Sequence, residues 1–145
     1  MQPGMETSVN TLNSFLRGEL AAVESYRQAI DKVDKPPIKG QLDSCLRSHE
    51  QRVSVLKQQI QSLGGEPVQS SGTWGTVGKV IAGAAGMLSD KAAVGALEEG
   101  EDLVRDDYQR DADKLDPSSR QLVQEQLLPE QLSTHATMSS LKKTL

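Results

Sequence analysis

The sequence predicts an all-α protein, a bundle of four long helices formed by one domain that spans residues 1–145. Its composition favours helices, because Ala, Leu, Gln, Glu and Lys are frequent while aromatic residues, which strands prefer, make up only 3% of the chain. Apolar residues recur at the spacing of three and four positions that amphipathic helices show. A Gly-Glu-x6-Tyr stretch also occurs twice, from Gly18 to Tyr26 and from Gly100 to Tyr108. This repeat indicates a duplicated pair of helices.

The first helix is predicted from about residue 6 to residue 33. Leu12, Phe15, Glu19 and Tyr26 lie on its apolar face by helical spacing. Pro36 follows closely and ends the helix, because a proline disfavours helical backbone in the residue before it.

The second helix is predicted from about residue 38 to residue 63. Its apolar face runs from Leu42 through Leu46 and His49 to Leu63. The glycine pair that starts at Gly64 is a strong stop signal, because glycine readily adopts the left-handed backbone that commonly follows a helix.

Residues from about 64 to 89 form a long connection that is rich in glycine and serine. Trp74 is predicted to anchor this connection to the bundle, since a large aromatic side chain mainly supplies buried area. Short connections make neighbouring helices antiparallel, whereas a long one can return the chain along the bundle. We therefore expect the second and third helices to run parallel, which is the topology of a four-helix bundle with a single long crossover.

The third helix is predicted from about residue 90 to residue 114, with Ser89 or Asp90 as its N-terminal cap. The fourth helix is predicted from about residue 117 to residue 143, with Asp116 as the cap and Pro117 in the first helical position. Pro129 lies inside this helix, where it is expected to produce a kink by removing a backbone hydrogen bond.

The two histidines of the chain belong to a second repeat. Leu42-x3-Leu46-x2-His49 is echoed by Leu128-x3-Leu132-x2-His135. If all four apolar faces point inward, these histidines meet the glutamates and tyrosines of the first repeat in the centre of the bundle. Burial of an unpaired carboxylate is costly, so each glutamate requires a metal, a histidine or a hydroxyl as its partner.

This pattern resembles the ferritin-like superfamily, which includes rubrerythrins and ferritins. The usual di-metal site of that superfamily takes a Glu from each of the first and third helices and a Glu-x-x-His from each of the second and fourth. The resemblance implies a site for iron, manganese or zinc. The residues that match are Glu19 and Glu101 as carboxylate ligands, His49 and His135 as histidine ligands, and Tyr26 and Tyr108 as the tyrosines around them. Glu98, one turn before Glu101, would add a further carboxylate.

The chain departs from the superfamily at Leu46 and Leu132, where both Glu-x-x-His motifs would carry their glutamates. Those glutamates bridge the two metal ions, so their absence leaves the predicted site without a bridging carboxylate. The alternative to a metal site is a polar layer whose members satisfy one another through Glu–His and Glu–Tyr hydrogen bonds. Loss of both bridging groups favours this alternative.

Over nearly its full length the chain also resembles a bacterial family of uncharacterised ferritin-like proteins. The resemblance is carried by Leu63-Gly64-Gly65-Glu66-Pro67, by Ser70-Ser71-Gly72-Thr73-Trp74-Gly75 and by Leu97-Glu98-Glu99-Gly100-Glu101-Asp102. It implies the ferritin-like fold and no particular activity, because a fold does not fix a function.

Composition excludes several other classes of protein. The formal net charge is -4 with both signs interspersed, so no basic face for nucleic acid is expected. The longest apolar run, Val80 to Leu88, is interrupted by glycines and is far too short to span a bilayer. The N-terminal residues are polar and lack the apolar core of a signal peptide. A single cysteine, Cys45, excludes an internal disulfide, and together these features predict a cytoplasmic location.

Two functional classes therefore stay open. One is a metal-binding or oxidoreductase-like relative of ferritin with a role in iron handling or oxidative stress. The other is a non-catalytic bundle that acts as a structural or protein-interaction module and is compatible with a homo-oligomer. Leu46 and Leu132 discriminate between the two and argue against an enzyme, and no residue is assigned a catalytic role. The sequence thus predicts a ferritin-like protein with a degenerate di-metal-type site, and the non-catalytic module is the alternative.

Overall fold

The computed structural model describes residues 3–72 and 89–145, and all regular structure within these ranges is helical. The elements are α1 (Pro3–Lys32), α2 (Pro36–Ser62), α3 (Asp90–Asp111), a 3₁₀ turn (Ala112–Lys114), α4 (Pro117–Leu122), a π-helical segment (Val123–Leu127) and α5 (Leu128–Thr144). The backbone stays right-handed helical at both ends of the π-helical segment, so we call α4, this segment and α5 together the fourth helix. The predicted all-α bundle of four helices is confirmed.

The directions of the helices follow from contacts between them. Tyr26 of α1 reaches Glu101 of α3, while Glu19, earlier in α1, contacts Tyr108, later in α3. Helices α1 and α3 are therefore antiparallel. Helix α2 turns back on α1 after residues 33–35. Consequently α2 and α3 run in the same direction, as the long crossover predicts.

The beginning of the crossover runs back along α1. The Asn13 side chain donates a hydrogen bond to the carbonyl of Glu66 and accepts one from the N–H of Val68. Further along, the Ser71 hydroxyl donates to Glu24, which is about three turns after Asn13 in α1. Residues 73–88, which include the predicted anchor Trp74, lie outside the described residues.

Among the described residues, the apolar core forms two layers with polar side chains between them. One layer lies near the turn between α1 and α2, and the other lies near the opposite end of the bundle. Members of the first layer include Val23, Leu42, Leu46, Leu97 and Met138. Members of the second layer include Leu12, Leu16, Leu56, Val104 and Leu127. Between the layers, every helix contributes at least one buried polar residue.

The fourth helix passes Pro129 without a break. A proline has no N–H, and its ring crowds the carbonyl four residues earlier. The π-helical segment lies directly before this proline, and there the Leu128 N–H donates to the Val123 carbonyl, five residues earlier. One wider turn thus accompanies the proline, and the helix continues to Thr144.

Helix α2 ends at the predicted glycine pair, which provides a test of packing. Gly64 has the left-handed backbone, with φ of 83°, and the Gly65 N–H bonds back to the Ile60 carbonyl. A Cβ atom added to Gly65 would lie 2.6 Å from a methyl carbon of Val9. We expect Gly65→Ala to lower the free energy of unfolding by about 1–3 kcal/mol.

The control for this prediction is Gly40→Ala within α2, where an added Cβ meets nothing within 4 Å. Alanine is the better helix former, so this change is expected to stabilise by about 0.5–1 kcal/mol. Urea unfolding of both variants makes the comparison, and two changes of the same sign would contradict the close packing at Gly65.

Candidate functional site

Eight buried side chains meet between the two apolar layers, and we call them the central polar cluster. They are Glu19 and Tyr26 of α1, His49 and Arg52 of α2, Glu101 and Tyr108 of α3, and Gln131 and Thr134 of α5. All four helices of the bundle contribute two of these residues each. The amphipathic faces that bury the leucines therefore also bring these polar groups into the centre.

His49 lies between the two carboxylates of the cluster. Its Nδ1 is 2.5 Å from Oε1 of Glu19, and its Nε2 is 2.6 Å from Oε2 of Glu101. An ionised carboxylate only accepts hydrogen bonds, and both imidazole nitrogens donate only when the ring is protonated. The geometry therefore corresponds to an imidazolium that bridges two carboxylates.

Burial and charge act in opposite directions on the pKa values of these groups. Burial lowers the pKa of His49, but the charges of Glu101 and Glu19 outweigh it, and the net pKa is raised. Burial raises the pKa of Glu19, but Arg52 and His49 hold it below its ordinary value. Burial likewise raises the pKa of Glu101, but the charge of His49 and its hydrogen bond hold this pKa below its ordinary value. Each charge in the centre thus stabilises the opposite ones.

Arg52 supplies the second positive charge. Its side chain is 0% exposed, and Nη1 lies 3.3 Å from Oε2 of Glu19. The guanidinium also donates to the Thr134 hydroxyl at 3.0 Å and to the Gln131 side-chain oxygen. With His49 protonated, two negative and two positive groups balance in the centre. Such balance offsets the large cost of taking charges out of water.

The two tyrosines complete the cluster in a crossed arrangement. The Tyr26 hydroxyl of α1 donates to Glu101 of α3, and the Tyr108 hydroxyl of α3 donates to Glu19 of α1, both at 2.6 Å. Burial, followed by the adjacent glutamate charge, raises both tyrosine pKa values well above 10.0. The hydroxyls therefore stay neutral and act as donors.

The second oxygen of Glu101 is also satisfied. Its Oε1 accepts from the Gln131 amide at 2.8 Å and from the Thr134 hydroxyl at 2.6 Å. Every oxygen of Glu19 and Glu101 thus has at least one partner within the cluster. The network is closed by the protein's own side chains, as buried polar groups require.

Removal of either tyrosine hydroxyl provides a test of this network. Tyr26→Phe and Tyr108→Phe keep the ring but remove a donor to a buried carboxylate. We expect each to lower the free energy of unfolding by about 1.5–3 kcal/mol. Ser25→Ala is the control, because the Ser25 hydroxyl is buried yet donates only to a neutral carbonyl of its own helix, that of Ala21. If the tyrosine variants lost no more stability than this control in urea unfolding, the charged network would be contradicted.

The structure brings together five of the residues that the sequence singled out, namely Glu19, Tyr26, His49, Glu101 and Tyr108. His135 lies elsewhere. Its side chain is 21% exposed, and its Nε2 is 2.5 Å from Oδ1 of Asp102.

Glu98 also lies outside the cluster, in a surface ion pair with Lys142 at 3.1 Å. The expectation for His135 depended on a repeat that pairs Leu46 with Leu132. These two leucines differ in the structure, since Leu46 is buried whereas Leu132 is 43% exposed. The expected convergence of His135 and Glu98 on the centre therefore requires correction.

His135 lies outside the cluster because of the rotational position of the fourth helix. Residues Gln131 and Thr134 face the centre, and His135 comes one position later, about 100° further around the helix. Sequence reasoning missed Arg52, Gln131 and Thr134. A signal was available, because His49 and Arg52 have the same three-residue spacing as Gln131 and Thr134, which puts each pair on one helix face.

Cys45 lies in the apolar layer next to the cluster. Burial, followed by the charge of Glu101, raises the pKa of its thiol to about 11. The group is thus a neutral thiol and behaves as a small core residue. Within residues 3–72 and 89–145, no group of three or more His, Cys, Asp or Glu side chains has a metal-binding arrangement.

The sequence matches one family of known proteins. A family model described as a domain of unknown function, DUF2383, matches residues 7–113. The chain belongs to this family. A search of curated proteins finds no match to this DUF2383 protein.

A crystal structure described as ferritin-like, diiron-carboxylate proteins from Bacillus anthracis strain Ames is similar to the DUF2383 protein. The similarity covers 99% of this chain and 96% of the other, with a TM-score of 0.69 and 16% sequence identity. At this identity it demonstrates the fold, and the predicted ferritin-like bundle is confirmed. In the part of the DUF2383 protein that the structure describes, no helix is long and apolar enough for a membrane span.

Proposed function

We propose that this DUF2383 protein is a metal-independent, non-catalytic ferritin-like bundle that serves as a structural or protein-interaction module. The observation that carries the proposal is the position of Arg52, which is fully buried in the centre and contacts Glu19 and Thr134. A ferritin-like bundle has its metal ions in this region, held by residues from all four helices.

The donor set in the centre does not fit a di-metal centre. A histidine ligand needs one nitrogen free to bind the metal, but both nitrogens of His49 face carboxylate oxygens within 2.6 Å. Arg52 remains charged at any physiological pH and repels a metal cation. The only carboxylates of the cluster, Glu19 and Glu101, already accept hydrogen bonds from protein donors on each oxygen.

Burial also argues against catalysis by the cluster. The side chains of Glu19, His49 and Arg52 are each 0% exposed. A general acid or base must come within hydrogen-bonding distance of its substrate. A substrate would reach these groups only by displacing the charges that hold the centre together.

Metal handling is the second candidate function. It is supported by the similarity to a protein described as a diiron-carboxylate protein. For this function, Glu19 and Glu101 would have to release His49, and Arg52 would have to leave the centre. Both rearrangements separate buried opposite charges, which favours the metal-independent proposal.

The proposal extends to location and assembly. The single cysteine fits a reducing compartment, so we place the protein in the cytoplasm. Most oligomers of soluble proteins consist of identical chains, and the proposal includes such a homo-oligomer. Sedimentation equilibrium tests for the homo-oligomer.

Elemental analysis tests the proposed function. Untagged protein is exposed to Fe(II), Mn(II) or Zn(II) and then desalted, in parallel with His49→Ala and His135→Ala variants. We expect no stoichiometric metal in the wild-type protein. Stoichiometric metal that persists in His135→Ala but disappears in His49→Ala would overturn the proposal and support metal handling at the centre.

A further inference from the structure

We infer that the central polar cluster occupies the ligand positions of a duplicated di-metal site. In this chain, His49 and Arg52 balance the charges of Glu19 and Glu101, as two metal ions would balance four glutamates. The inference rests on the proposed function, since it presumes a wild-type centre without metal. It goes further because it states which residue of this chain stands at each ligand position of a di-metal bundle, including two positions on the fourth helix.

A constant offset relates the two halves of the cluster. Four pairs of residues are each 82 positions apart in the sequence: Glu19 and Glu101, Tyr26 and Tyr108, His49 and Gln131, Arg52 and Thr134. The two members of each pair lie in corresponding helices of the two halves, α1 with α3 and α2 with α5. The cluster is therefore pseudo-symmetric, whereas the repeat of the two histidines has a different offset, since His49 and His135 are 86 positions apart.

The spacing within each half matches the ligand pattern of the fold. A di-metal bundle takes a Glu and a His three positions apart from each of its second and fourth helices. Here the inward-facing residues at that spacing are His49 and Arg52 on α2, and Gln131 and Thr134 on α5. Positions 49 and 131 thus correspond to the glutamates, and positions 52 and 134 to the histidines.

The π-helical segment explains why this correspondence is hidden in the sequence. Pro36 and Pro117 begin their helices and are 81 positions apart, one fewer than the pairs of the cluster. The fourth helix therefore contains one additional residue before Gln131. A hydrogen bond over five residues, such as that from Leu128 to Val123, accommodates one more residue than an α-helical bond.

Buried apolar residues locate the additional residue more closely. Leu42 and Val123 are both buried and are 81 positions apart, whereas Cys45 and Leu127 are both buried and are 82 apart. The change of offset thus falls between Val123 and Leu127, which is the π-helical segment itself. This segment brings Gln131 and Thr134 to the centre and turns His135 towards the surface.

Charge balance supports the same assignment. Four glutamates around two divalent ions make a neutral centre, and so do two glutamates with a protonated histidine and an arginine. Replacement of His49 and Gln131 by glutamate would restore the two missing carboxylates. Replacement of Arg52 and Thr134 by histidine would remove the fixed cation and supply two nitrogen ligands.

The test is to rebuild the metal site in the full chain. The variant H49E/R52H/Q131E/T134H carries the complete ligand set at the assigned positions. After exposure to Fe(II), Mn(II) or Zn(II) and desalting, it is expected to retain about two metal ions per chain. Its Tm is expected to rise with metal and to fall again when a chelator is added.

The matched control places the Glu-x-x-His motif at the positions indicated by the repeat of leucines and histidines. L46E/L132E creates a Glu-x-x-His sequence on each helix while the cluster remains intact. It is expected to bind no metal and to be less stable, because Leu46 is buried in the apolar layer. Metal bound by this control and not by the rebuilt variant would overturn the assignment.

The outcomes separate this inference from the proposed function. Stoichiometric metal that depends on His49 in the wild-type protein would refute the proposed function, whereas a folded rebuilt variant without metal would refute the inference. If the rebuilt variant is unfolded without metal, it is refolded with Zn(II), and a chain that remains unfolded also refutes the inference.

A second pair of variants tests the offset without any metal. H49Q/R52T removes both cations and is expected to lower Tm strongly. H49Q/R52T/Q131H/T134R moves the same pair of cations to the equivalent positions and is expected to recover most of that loss. No recovery would refute the equivalence of the two halves.

Discussion

Replacement of Arg52 by leucine is expected to lower the free energy of unfolding by about 3–5 kcal/mol. The guanidinium is fully buried, lies 3.3 Å from Glu19 and donates to Thr134 and Gln131. Its loss leaves two buried carboxylates with a single imidazolium, so the centre acquires a net negative charge. The side-chain oxygens of Thr134 and Gln131 lose a donor at the same time.

Urea unfolding measures this loss against a control on the same helix. Arg47 forms an exposed ion pair with Asp43 at 2.7 Å. Arg47→Leu is expected to change stability by no more than about 1 kcal/mol, since exposed pairs contribute little. Equal effects of the two arginine substitutions would show that Arg52 does not balance the buried charges.

Replacement of His49 by glutamine is expected to change how stability depends on pH. The raised pKa of His49 stabilises the fold fully below its ordinary value of 6.5, and this contribution is lost as pH rises through the higher folded value. The lowered pKa values of Glu19 and Glu101 stabilise the fold above their ordinary value of 4.5, and that contribution is lost as pH falls through the folded values. The cluster therefore contributes most between pH 4.5 and 6.5.

The wild-type protein should thus lose stability as pH rises above 6.5, and His49→Gln should not show this alkaline decline. His135→Gln is the matched control and should keep the decline that His49 causes, because His135 lies outside the cluster. Free energies of unfolding from urea titrations across this pH range give the three profiles. An alkaline decline that disappears in His135→Gln and persists in His49→Gln would contradict the stabilisation of the fold by protonated His49.

The fold was predictable because its signals are local and agree with one another. Pro36 marks the end of the first helix, Pro117 marks the start of the fourth, Gly64 marks the end of the second, and apolar spacing marks the buried faces. The long connection between α2 and α3 then leaves few topologies. These signals depend on one or two residues each and need no knowledge of the tertiary structure.

The half of the site on α1 and α3 was predictable for a similar reason. Glu19 and Tyr26 are two turns apart on one regular helix, and so are Glu101 and Tyr108. Because the helix is regular, their spacing in the sequence is enough to put both side chains on the same face.

The fourth helix was not predictable in the same way. One wider turn at Val123–Leu127 shifts every later residue around the helix, and no periodic pattern encodes it. The inward face after this turn carries Gln131 and Thr134, while Leu132 is exposed. Apolar periodicity therefore selected the wrong face, and with it His135.

Arg52 was missed because a buried arginine is rare unless it is paired. Its partners Glu19, Gln131 and Thr134 come from two other helices, so the pairing exists only in the folded chain. The same holds for the central feature of the protein, a closed set of charges between two apolar layers. Each member is costly alone, and the set is stable only when it is complete.

The protonation state of His49 decides whether the centre holds a closed set of charges. We would record nitrogen NMR spectra of protein labelled with 15N-histidine at neutral pH, with and without Zn(II), and use His135→Gln to assign the two side chains. We expect both ring nitrogens of His49 to carry a proton and Zn(II) to leave their signals unchanged. A neutral His49 with one unprotonated nitrogen, and above all one whose signal shifts when Zn(II) is added, would refute the closed, metal-independent charge cluster.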